Sequence, residues 1–71
     1  MHFSTFVEQH CPHEYLKSTD RGDQRYGQWL MNRLFLSNPK THSEILGTDE
    51  DPFYDDLKLP RFWKKLGVVW E

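Results

Sequence analysis

At 71 residues the chain has room for one domain and one core; domains of roughly 50 to 65 residues already fold alone, though marginally. With 37% hydrophobic and 28% charged residues it has ordinary globular composition, outside the low-hydrophobicity regime of disordered chains. A formal net charge of −2 gives no overall positive field to attract nucleic acid, and no apolar run approaches the ~20 residues of a membrane-spanning helix.

The expectation is therefore one helical domain over residues 1–71, not membrane-bound, with a few large rings supplying most of the buried area: three Trp, three Tyr and five Phe. The single cysteine, Cys11, cannot close an internal disulfide, and no charged segment precedes an apolar leader, so the cytoplasm is the expected compartment.

In chain order, Phe3, Phe6, Val7 and His10 fall at helical spacing, with Ser4 or Thr5 as cap and Thr5 to Glu8 as a capping box. Pro12 breaks or kinks this segment and can open another turn carrying Tyr15 and Leu16. Ser18, Thr19 and Asp20 are good caps, and Asp23 suits a first turn, so the next helix is expected at about 21–37. Tyr26, Trp29, Leu30, Arg33 and Leu34 form its stripe, extended by Met31 and Phe35. Gly27 within it reads equally as close approach by another element or as simple tolerance.

Asn38 and Pro39 read as N-cap and first residue of a third helix carrying His42, Ile45 and Leu46 and stopping at Gly47. From Gly47 to Pro60 turn residues dominate, a loop with room for one helical turn. Pro60 opens a last helix with Phe62, Trp63 and Leu66 on one face and Gly67 as its stop, followed by a short apolar tail, Val68 to Trp70. The fold class is all-α: a bundle of three to four short helices with an acidic loop before the last, and Tyr26, Trp29, Leu30, Leu34, Ile45, Phe62, Trp63 and Leu66 at its centre.

Few residues promise chemistry. His10, Cys11 and His13, with His42 as a fourth, contain zinc-ligating types, yet the spacing matches no ribbon or finger. The acidic run of Asp49, Glu50, Asp51, Asp55 and Asp56 lacks the alternating ligands and central glycine of an EF-hand, and reads instead as helix capping by Asp51 with a solvated face, or as a protein-docking surface. Cys11 between His10 and His13, and Ser43 beside His42, are the available nucleophile and base pairs, but neighbours in a helix do not face each other. Neither an enzyme, a metal site nor a cofactor is expected. Phe53 and Tyr54 among the carboxylates have the composition of a protein-docking hot spot, with insertion of both rings into the core as the alternative. Lys58, Arg61, Lys64 and Lys65, near Trp63 and Trp70, are the residues a nucleic-acid binder would use.

From Arg25 to about Leu66 the chain resembles a group of small uncharacterised proteins of bacteriophages and their hosts. The resemblance rests on Arg25-Tyr26-Gly27-Gln28, Met31-Asn32, Leu34-Phe35, Pro39, Ile45, Gly47-Thr48, the run from Asp51 to Asp56, and Phe62-Trp63. It implies a phage or prophage accessory protein acting in the bacterial cytoplasm, similar in habit to host-factor inhibitors and anti-defence proteins, and brings no site residues with it. The expected function is a non-enzymatic protein-binding module, monomeric or a small homo-oligomer, using Asp49, Asp51, Phe53, Tyr54, Asp55 and Asp56; the alternative is nucleic-acid binding through the basic last helix.

Overall fold

The computed structural model describes residues 1–19 and 21–70. Among the described residues five α-helices follow one another: α1 Phe3–Gln9, α2 Pro12–Lys17, α3 Tyr26–Ser37, α4 Pro39–Ile45 and, after a 3-10 turn at Asp56–Lys58, α5 Leu59–Val69. No strand occurs among the described residues. The all-α expectation holds, and the radius of gyration of 11.0 Å equals the ~11 Å of a folded chain this long.

The tightest local agreement is at Asn38. Its backbone N–H closes α3 on Leu34 O at 2.8 Å, and its side-chain oxygen accepts the Thr41 N–H at 3.2 Å. Pro39 then starts α4 where no N–H donor is needed. One residue ends a helix and caps the next, so α3 and α4 pack against each other across a minimal joint.

The ends of the other helices depart from expectation. α1 begins at Phe3 because Phe6 N–H reaches His2 O at 3.1 Å, which places Thr5 inside the helix and leaves no Thr5–Glu8 capping box. α3, the helix expected at about 21–37, starts at Tyr26: Gly22 takes a left-handed φ of 54°, and the Gln24 carbonyl turns aside to accept the Tyr15 hydroxyl. Arg21 meanwhile lies over the Tyr15 ring at 4.9 Å, while Asp20, expected to help cap that helix, falls outside the described residues. At the other end Gly67 does not stop α5. The helix runs on to Val69, and Trp70, instead of trailing, packs against Phe3 and Phe6 with centroids 5.8 and 5.2 Å away and donates Nε1–H to Met1 O. Aromatic burial at Trp70 outweighs the roughly 1 kcal/mol helix penalty of one glycine.

The core is Phe6, Trp29, Leu30, Met31, Leu34, Ile45, Phe62 and Leu66. Fully burying such side chains stabilises by about 1.5–3 kcal/mol each. α3 is its axis: from Trp29, against His10 just after α1 and Tyr15 of α2, round to Met31, the covered arc spans roughly 200° at 3.6 residues per turn. Two expected core residues, Tyr26 and Trp63, sit half-buried at its rim, and Phe6 takes a central place. Phe35, expected on the buried stripe, lies just past the edge of that arc, 54% exposed, with its ring edge-on to His42.

Candidate functional site

The loop between α4 and the 3-10 turn is a chain of local turns in which the carboxylates serve as backbone acceptors. Gly47, at φ 78°, reverses the chain after α4. Asp51 Oδ2 accepts the Gly47 N–H and Oδ1 the Phe53 N–H, both at 2.9 Å; Asp55 Oδ1 accepts the Leu57 N–H at 3.0 Å and starts the 3-10 turn. Short polar side chains that bond a backbone group two residues on are the usual makers of such turns.

The loop is fastened to the start of α3 at three points. Asp56 Oδ1 accepts the Gly27 N–H at 3.0 Å, one of the donors a helix start leaves unpaired. The Arg25 guanidinium donates to the carbonyls of Tyr54, at 3.2 Å, and Phe53. The buried Pro52 presses its carbonyl so close to Gly27 that a Cβ there would lie 2.2 Å from Pro52 O and 2.6 Å from Asp56 Oδ1. Of the two readings of Gly27, close approach is the one the packing supports.

This fastening separates the two aromatic residues. Phe53 is half-buried against the core, whereas Tyr54 is 83% exposed, its ring meeting that of Phe53 edge-on at 4.8 Å. Leu57, three residues on, is 88% exposed. Tyr54 borders a depression of about 200 Å³ shared with Gly47, Thr48, Asp51, Asp55 and Lys58. Sequence reasoning did not single out Leu57 or the capping duty of Asp55; the spacing Asp51-x-Phe53 and Asp55-x-Leu57 is the signal that could have shown the carboxylates acting as turn-formers.

The basic candidates divide. Lys58 lies with the acidic loop, while Arg61, Lys64 and Lys65 share a groove of about 320 Å³ on α5 with Glu50 and Val68. Positions 61, 64, 65 and 68 are the i, i+3, i+4 and i+7 of one helix face, opposite the buried Phe62 and Leu66.

The histidines and Cys11 do not converge. His10 is 1% exposed, with Nδ1 bonded to Phe6 O at 2.8 Å and Nε2 accepting from Arg33 at 3.4 Å. Burial holds its pKa below the ordinary 6.5; the Phe6 hydrogen bond opposes this and the Arg33 charge adds to it. His13 is exposed and His42 lies against Phe35. Among the described residues no three His, Cys, Asp or Glu side chains gather as metal ligands. Ser43 donates its hydroxyl to Pro39 O at 3.1 Å. Tyr26, whose hydroxyl donates to His10 O at 2.6 Å, is pushed up to about 12 by burial and by Cys11 nearby.

No helix is long and apolar enough to cross a membrane among the described residues. Comparison with protein-family models, curated proteins and solved structures finds no match.

Proposed function

We propose that the chain is a non-enzymatic protein-binding module that docks through its acidic loop, a phage or prophage accessory protein acting on a host factor. One observation carries the reading: Tyr54 and Leu57 stand 83% and 88% exposed on a loop whose backbone is held by Asp51, Asp55, Asp56 and Arg25. Exposed side chains on a pre-ordered backbone lose little freedom on binding, so more of their contact energy appears as affinity. Tyr is among the residues enriched in binding hot spots, and the surrounding carboxylates favour a partner with a basic surface and reject an acidic one. Phe53, by contrast, supports Tyr54 from below and is assigned no direct contact.

The test is affinity capture from bacterial lysate with the wild type, Tyr54→Ala and Leu57→Ala, each checked for an unchanged melting temperature. A partner retained by the wild type and lost from both variants supports the proposal. A partner captured equally by all three, or none retained by the wild type, refutes it.

A second reading, nucleic-acid binding, draws on the clustering of Arg61, Lys64 and Lys65 on one face of α5. Titration of the wild type against DNA and RNA at two salt concentrations decides it, since phosphate contacts must weaken steeply with salt.

A further inference from the structure

Arg61, Lys64, Lys65 and the exposed Val68 line one groove with Glu50 at its border, and its walls are mainly apolar, as long cationic side chains that keep their heads in water allow. Among the described residues no carboxylate forms an ion pair with Arg61, Lys64 or Lys65; the pair within 4.0 Å is Glu14 with Lys17, on α2. The groove therefore fits a short acidic segment presented on a fixed backbone, with some apolar contact.

The molecule itself carries such a segment. Asp49 and Glu50 belong to the turn after α4, closed by the Asp51 N–H to Thr48 O bond at 3.1 Å, and neither carboxylate is among those used to hold the loop. Glu50 borders the groove, so the positive and negative surfaces are neighbours on one molecule. Neighbouring patches of opposite charge are the condition for a two-fold contact: rotation about an axis between them lays each on its opposite, twice over. A net charge of −2 per chain opposes this only weakly.

We propose that the chain self-associates as a two-fold dimer in which each copy sets its Asp49–Glu50 turn into the Arg61, Lys64, Lys65 groove of the other. Tyr54 borders a separate depression on the loop, so self-association and the Tyr54 contact draw on different side chains, Asp49 being the one residue shared with the acidic docking site expected from sequence.

Analytical ultracentrifugation of the full chain at about 50 mM and about 500 mM salt tests it, since screening over a Debye length of a few ångströms must weaken such a contact. Two double variants accompany the wild type: Lys64→Glu with Lys65→Glu, and Asp49→Lys with Glu50→Lys. The dimer is expected for wild type in low salt with a shift toward monomer in high salt, monomer for either variant alone, and dimer again when the two variants are mixed in equal amounts. Restoration on mixing cannot come from misfolded chains. Tyr54→Ala is expected to dimerise as the wild type does, which keeps this proposal separable from the partner-docking one. A wild type monomeric at about 1 mM in low salt overturns the dimer, as does one that persists in both variants. A monomer that binds an oligonucleotide with steep salt dependence overturns it too, and reassigns the groove to phosphates.

Discussion

Arg33 donates Nε–H to Nε2 of a His10 ring that is 1% exposed, across 3.4 Å, while the other ring nitrogen is bonded to Phe6 O. In that arrangement Nδ1 carries the proton and Nε2 is a neutral acceptor. The ring also stacks on Phe6 at 4.1 Å and meets Trp29 at 5.4 Å, so it ties α1 to α3. A second proton would sit in the core facing a guanidinium.

Acid should therefore loosen the fold before the carboxylates titrate. The folded-state pKa of His10 lies below the unfolded 6.5, so the folded chain binds fewer protons. This contribution is complete above 6.5 and is lost as pH falls below 6.5 toward the folded value, with a limiting slope of about 1.4 kcal/mol per pH unit. Urea melts between pH 7 and pH 5 measure it, and His10→Gln should flatten that segment of the curve. A slope unchanged in the variant would show that another group is responsible.

Gly27 and Gly67 should respond to alanine in opposite directions. At Gly27 the new Cβ meets Pro52 O at 2.2 Å and Asp56 Oδ1 at 2.6 Å, so the loop must lift from α3; a loss of about 2–4 kcal/mol is expected. At Gly67 the nearest atom is Phe3 Cε2 at 3.4 Å, an ordinary contact inside a helix, and Ala should be neutral or stabilise by up to about 1 kcal/mol. Thermal melts of the two variants check both signs.

Asp51 accepts two backbone N–H groups with its two oxygens, from Gly47 and Phe53. Asparagine offers one oxygen and can keep one of these bonds, while alanine keeps neither. Stability should fall in the order wild type, Asp51→Asn, Asp51→Ala, with steps of about 0.5–1.5 kcal/mol. Equal losses in the two variants would mean that charge, not hydrogen bonding, is what the loop requires.

Tyr54→Ala and Leu57→Ala should leave chemical stability within about 0.5 kcal/mol of wild type, because both side chains project into solvent. Amide exchange of the Phe53 and Leu57 N–H groups, held by Asp51 and Asp55, should likewise stay unchanged in Tyr54→Ala. A melting temperature lowered by several degrees would place Tyr54 in the fold instead of at a docking surface.

Periodicity and punctuation determined a good deal on their own. Leu30, Leu34, Ile45, Phe62 and Leu66 follow from helical spacing, and the Asn38-Pro39 joint from capping chemistry, because both depend on residues within a turn or two of one another. Tertiary structure decided the rest. Gly67 stayed helical because Trp70 had Phe3 and Phe6 to pack on; the helix expected from 21 waited until Tyr26 because Tyr15 claimed the Gln24 carbonyl. The outward turn of Tyr54 and inward turn of Phe53 were set by Arg25 and Gly27, 28 and 29 residues from their partners. Local pattern reports which residues can share a face, but which face finds a partner depends on contacts between segments distant in sequence, and no periodicity encodes those.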